Sequence, residues 1–176
     1  FGYTDQAIDP RDSTGPDDPR LSSYEGVLPG FDCVLDLTGS HAPWVAHLES
    51  LGYDVSHGVG HLLAREHKRP AEHSVSTFLT DTFLSWLDDR EPGWFAHLSY
   101  LRPHPPYSAA GEFGAMYAPD DLPLPVAPVV DRHQLHELML GIADTAAPTD
   151  EAGLRWMRAQ YMGMISEVDA QLGRVW

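Results

Sequence analysis

The feature that most restricts the fold is a helical period running directly into a short apolar run. From Ser74 to Asp88 the residues Val75, Phe78, Leu79, Phe83, Trp86 and Leu87 recur at the spacing that one face of a helix requires. The turn Arg90-Glu-Pro-Gly93 follows. Trp94 to Tyr100 (Trp-Phe-Ala-His-Leu-Ser-Tyr) then predicts a strand buried largely on both faces. A helix feeding a buried strand is half of a βαβ unit, so the fold class expected is α/β.

The remaining segments fit around this pair. The first four residues read as the end of a strand entering a loop, and residues 9–30 are rich in Asp, Pro, Gly and Ser with no helical period. Phe31 to Leu37 predicts a short strand. From Ala42, Pro43 near the first turn and the spacing of Trp44, Leu48 and Leu51 predict an amphipathic helix that Gly52 ends. Residues 54–72 are polar and His-rich without a period, and 101–130 read as a Pro-rich loop. Helices are expected at about 131–143 and 150–175. The last should pack through Leu154, Met157, Tyr161, Met164, Ile165, Val168, Leu172 and Val175. No internal repeat is apparent.

Composition narrows the function classes. The 176 residues suffice for one domain with a sizeable core, and 43% hydrophobic content excludes a disordered chain. A formal net charge of −15 argues against nucleic acid, whose phosphates would be repelled. No run approaches the roughly 18 apolar residues of a bilayer span, and no signal peptide is visible. The single cysteine, Cys33, excludes an internal disulfide and leans towards a cytoplasmic, reducing location. Cys33 lies in Phe-Asp-Cys-Val-Leu-Asp and is expected to be a buried small apolar residue. The chain has no Asn, hence no N-glycosylation acceptor, and Lys68 is its only lysine.

The run Tyr100-Leu-Arg-Pro-His-Pro-Pro-Tyr107 carries the most chemical interest. In open α/β sheets ligands sit beyond the carboxyl ends of strands, and His104 lies in that zone. Pro103, Pro105 and Pro106 restrict the backbone on either side. An imidazole so held suits proton or hydrogen-bond donation, because little entropy remains to be lost when substrate arrives. The alternative is a rigid surface turn in which the histidine is incidental.

This run resembles the Pro-His-x-Pro segment of the sulfatase and phosphonate monoester hydrolase family of the alkaline phosphatase superfamily. Gly2 to Arg11 (Gly-Tyr-Thr-Asp-Gln-Ala-Ile-Asp-Pro-Arg) resembles the Gly-Tyr-Thr loop of the phosphonate monoesterase branch, where common arylsulfatases have Gly-Lys-Trp-His. Tyr24 to Gly30 is similar to that branch as well. Tyr161 to Val175 resembles the helix that precedes the second half of the family's metal site. The order of the motifs is the family's order, and they fall at both ends and in the middle of the chain.

The resemblance implies that residues 1–176 form the central portion of one sulfatase-like domain, within a three-layer αβα sandwich. It implies a hydrolase of sulfuric, phosphoric or phosphonate esters acting on a small anionic substrate. Members use a formylglycine made from a Cys/Ser-x-Pro-x-Arg motif, together with a divalent cation (Mn, Ca or Mg). That motif and the Asp-His-Gly metal segment do not occur in this sequence, so nucleophile and metal ligands are expected outside it, and the segment alone is expected to be inactive. By position, His104 matches the family histidine that contacts substrate and assists the leaving group. Tyr3 takes the place of the sulfatase lysine. Thr4 and Asp5 fall among the substrate contacts, although a carboxylate at Asp5 would repel an anionic ester unless protonated or paired. Arg102 is a plausible partner for Asp5, with a surface salt bridge as the plainer reading.

Two rival readings accompany this one. His57 and His61, with His67 and His73 nearby, or His133 and His136 before Glu137, have spacings able to bring two imidazoles to a structural zinc. Yet Gly58 and Gly60 weaken a helix there, and no Cys or carboxylate completes a tight cluster. The other rival is a non-catalytic acidic interaction module derived from the same fold. Asp9 to Arg20 reads as a solvated loop or as an arm for subunit contact in a homo-oligomer.

Overall fold

The structure, a computed structural model, describes residues 1–2, 12–19, 30–124, 126, 132–142 and 147–176. Its regular elements there are helical: α1 (Ala42–Ser50), α2 (Val59–Ala64), α3 (Val75–Asp88), α4 (Gln134–Leu140) and α5 (Glu151–Val175), with short 3-10 turns between them. None of these helices is long and apolar enough to cross a membrane.

The strand content is smaller than the sequence predicts. Gly2 forms parallel bridges to both Asp36 and Ser99, which makes it the middle of three chain segments. The Gly2 amide donates to the Leu35 carbonyl (2.9 Å), Leu37 donates to the Gly2 carbonyl (3.0 Å), and Ser99 donates to the Phe1 carbonyl (3.1 Å). The close approach requires glycine. A Cβ at Gly2 would stand 2.1 Å from the Ser99 carbonyl oxygen, on a backbone with φ of +92°. The expectation of a strand over Trp94 to Tyr100, buried on both faces, holds only at its end. Trp94 is 47% and Phe95 80% exposed, whereas Leu98 and Tyr100 pack on the core. The pairing reaches back only to His97, whose carbonyl accepts from the Phe1 amino group at 2.9 Å. No strand lies beside Trp94 and Phe95 among the described residues. Phe31 to Leu37 is likewise reduced to one bridged residue, Asp36.

The helices follow their end signals. Gly52, with φ of +87°, closes α1: Tyr53 donates to the Leu48 carbonyl (3.1 Å) and Gly52 to that of Glu49 (2.9 Å), the paired bonds of a Schellman stop. Ser74 accepts the Thr77 amide at the start of α3 (3.1 Å), and Asp150 accepts that of Gly153 at the start of α5 (2.8 Å). Trp44 and Leu48 of α1 join Leu35, Leu37, Leu62, Leu63, Val75 and Leu79 in the core. Leu51, expected on the buried face, is 44% exposed because the stop turns it outwards. Residues 54–72, without a period in the sequence, contain α2, whose six residues are too few to display one.

The packing of α5 corrects the sequence reading. Its buried stripe is Ala159, Gln160, Gly163, Met164, Glu167 and Gln171; of the expected apolar face Met164 is fully buried as expected, while Tyr161, Ile165 and Leu172 are 39–41% exposed. The neighbour explains the choice: α5 packs on the extended segment Ser108 to Ala110 and the turn Gly111–Ala115, whose backbone groups need hydrogen-bond partners. Gln160 accepts from the Ala109 amide (3.0 Å) and donates to the Gly114 carbonyl (2.9 Å). Gln171 donates to Thr77 of α3 (3.0 Å), and Arg174 pairs with Asp81 at 2.5 Å.

A Cβ at Gly163 would lie 2.3 Å from the Phe113 carbonyl oxygen and 2.9 Å from Ala109 Cβ, whereas nothing lies within 4 Å of Gly173 on the same helix. Gly163→Ala should therefore cost about 1–3 kcal/mol by overpacking, while Gly173→Ala should gain up to about 1 kcal/mol from helix propensity. Urea denaturation of both variants checks the contrast; equal effects would mean that α5 does not pack through this stripe.

Candidate active site

The loop bearing His104 spans two anchors, the first half-buried and the second fully buried. At its start Ser99 is bonded to the chain's first residue, and the Tyr100 hydroxyl meets Thr80 Oγ1 at 2.6 Å. Burial pushes the Tyr100 phenol up, and the Thr80 bond partly opposes this. At its end Ser108, Ala109 and Ala110 are fully buried. Ser108 Oγ accepts the His67 amide (2.9 Å), and the Gly111 amide donates to the Arg69 carbonyl (2.8 Å). Between these points the peptides Arg102-Pro103 and Pro105-Pro106 are cis, and the His104 amide donates to the Leu101 carbonyl at 2.9 Å. His104 is exposed.

The imidazole has one bond, between Nδ1 and the Pro105 carbonyl oxygen at 2.8 Å. A carbonyl oxygen only accepts, so Nδ1 carries the proton of that bond. Nε2 is then the nitrogen left to act, and it donates a proton only from the imidazolium form.

Arg102 corrects the expectation of a surface salt bridge. It is 6% exposed and pairs with Glu66, which is fully buried. Arg102 Nη1 also donates to the carbonyls of His104 (3.0 Å) and Pro106 (2.7 Å), and Nη2 donates to that of Leu63 (3.3 Å). Glu66 Oε1 in turn accepts the Val75 amide (2.9 Å) in the first turn of α3, a favourable place for negative charge. Glu167 of α5 lies within the electrostatic reach of this pair and accepts from the Ala110 amide at 3.5 Å. Desolvation and the Glu66 charge push its carboxyl up to about 7, against the pull of Ser74, the Ala110 amide and Arg102. Sequence reading missed both glutamates. Glu66 lies in the stretch without a period, and Glu167 looks like a solvent-facing residue between apolar ones. The spacing of Gln160, Gly163, Glu167 and Gln171 along one helix face was the available signal.

Tyr3, Thr4 and Asp5 lie outside the described residues. Gly2, immediately before them, is bonded in parallel to Ser99, five residues before His104. Cys33 is exposed, not buried as expected. It stands ahead of the paired residues 35–37, where the segment has not yet entered the core. The histidines do not gather. His67 Nδ1 bonds Ser108 Oγ (2.9 Å) and His73 Nδ1 bonds the Tyr53 hydroxyl (2.8 Å). The His57 and His61 rings are 4.8 Å apart, and those of His133 and His136 6.4 Å. Among the described residues no group of three or more His, Cys, Asp or Glu is placed to hold a metal ion.

The raised Glu167 carboxyl fixes a pH dependence. Between its ordinary value of 4.5 and about 7 the folded chain binds more protons than the unfolded one, so this group's contribution is present below about 4.5 and lost as pH rises through 7. Glu167→Gln should flatten the decline and stabilise the fold near pH 8 by on the order of 2 kcal/mol. Urea unfolding across this range is the check, and an unchanged slope would place the charge elsewhere.

No family model matches the chain. Its sequence is 34% identical over 208 residues to the multifunctional alkaline phosphatase superfamily protein PehA of Trinickia caryophylli, spanning 99% of this chain and 39% of that protein. The solved phosphonate monoester hydrolase of Agrobacterium radiobacter superposes with a TM-score of 0.72 at 32% identity, covering 100% of this chain and 40% of that one. The phosphonate monoester hydrolase SpPMH of Silicibacter pomeroyi gives 0.74 at 32% identity, with 99% and 40% covered. The chain thus spans about two fifths of the length of the relatives it matches. Over its whole length it is related to the phosphonate monoester hydrolases of the alkaline phosphatase superfamily, and it corresponds to a part of them.

Proposed function

We infer that the chain is part of a hydrolase of phosphonate, phosphate or sulfate esters, in which His104 assists departure of the leaving oxygen. The observation that carries this reading is the exposed imidazole on a loop that starts at half-buried Tyr100 and ends at fully buried Ser108, just beyond a segment in parallel register with Gly2. The same register supports assigning the chain to one part of a three-layer αβα sandwich, with residues 1–176 within a single domain. Tyr3 would hydrogen-bond the anionic group, with Thr4 and Asp5 beside it. A divalent cation (Mn, Ca or Mg) and a formylglycine nucleophile would complete the chemistry. The expectation that the nucleophile and metal ligands lie outside this sequence rests on the missing Cys/Ser-x-Pro-x-Arg and Asp-His-Gly motifs.

As the ester bond breaks, negative charge grows on the leaving oxygen. Imidazolium Nε2 would pass a proton to that oxygen, while Nδ1–H holds the ring on the Pro105 carbonyl. The benefit is largest where the leaving group is least able to carry charge. In the full-length enzyme His104→Ala should lower kcat/KM by roughly 10²–10⁴ for poor leaving groups and far less for good ones. A series of aryl esters graded by phenol acidity measures this, and a uniform loss across the series would remove the proton-donor role.

A further inference from the structure

Among the described residues the His104 side chain has one hydrogen bond, to its neighbour's carbonyl, so its orientation follows the loop backbone. One guanidinium holds that backbone at the histidine and just after it, through the carbonyls of His104 and Pro106. The same group fastens the loop to the end of α2 through Leu63 and to Glu66 in the following turn. Glu66 is fixed by its second oxygen on the Val75 amide. Stability alone is a weak reason for this arrangement, because buried ion pairs are often replaced by apolar residues without loss. What apolar residues cannot supply is a rigid fork of donors aimed at separate acceptors, and a lysine ammonium supplies it poorly.

We propose that Arg102 and Glu66 are positioning residues for His104: Glu66 holds the guanidinium, and the guanidinium sets the path of the backbone that aims the imidazole. The catalytic part of the proposal rests on His104 contacting substrate, whereas the backbone part does not. The two are separable by experiment.

The test uses the full-length enzyme with Arg102→Lys, and with the double variant Glu66→Gln/Arg102→Met. The double variant removes both buried charges but keeps an acceptor for the Val75 amide. Hydrogen exchange of the His104 amide should quicken by about tenfold or more in either folded variant. The kcat should fall by about tenfold or more with KM little changed. In a His104→Ala background the same changes should cost almost nothing further, since positioning is worthless without the group positioned. Faster exchange with kcat insensitive to both Arg102 and His104 would support the backbone role and sink the reading of His104 as a substrate contact. Unaltered exchange in a folded variant, or losses that add to that of His104→Ala, would overturn the positioning role. Failure of both variants to fold would overturn it too, making the pair a stability element.

Discussion

A positive charge buried at Arg102 is tolerable because both terminal nitrogens of its guanidinium are answered, although Nε has no hydrogen-bond partner among the described residues. Desolvating a guanidinium costs several kcal/mol, and removing one partner of such a pair typically costs 3–5 kcal/mol in other proteins, about half of a small domain's stability. Here the compensation comes from Glu66 and from three backbone carbonyls belonging to the end of α2 and the His104 loop. The pair therefore joins the end of α2 and the turn after it to the His104 loop through side-chain charge. Glu167 approaches from α5, and the Arg69 guanidinium, also buried, lies within electrostatic reach of Glu66 and Arg102. Burial and the Glu66 charge favour the protonated form of Glu167.

The rest of the architecture is arranged around extended backbone that has little sheet to satisfy it. Ser108 to Ala110 are fully buried yet carry no strand partner, so their amides turn to side chains: Met164 Sδ for Ser108, Gln160 for Ala109 and Glu167 for Ala110. A helix serving this purpose must present polar and small residues inwards. That requirement shifts the buried stripe of α5 away from its apolar one, with Met164 common to both.

Hydrophobic periodicity made legible those elements whose burial is apolar. The extent of α3, the Gly52 stop of α1 and the core positions Trp44 and Leu48 all followed from it. It failed where burial is polar. Arg102 and Glu66 are far apart in sequence and carry no local signature of each other, and α5 turns its less hydrophobic face inwards. Runs such as Trp94-Phe-Ala-His satisfy the pattern of a buried strand, but among the described residues only those alongside Phe1 and Gly2 found a pairing partner. His104 was found through flanking prolines and resemblance, while the guanidinium that grips its loop was visible only in three dimensions. Family assignment fared better, because ordered motifs survive where individual contacts cannot be read.

Gln160 acts in effect as a borrowed peptide group. Its carboxamide accepts from one main-chain amide and donates to one main-chain carbonyl of the segment beside it. A helix could in principle slide along its neighbour by one turn, about 5.4 Å, and still bury a comparable surface. Such a slide would bring Trp156 or Met164 to this point, and neither can both accept and donate there. The carboxamide is thus a key cut for one register. It fixes how far α5 is inserted, and with it the height at which Glu167 meets the buried Arg102–Glu66 pair.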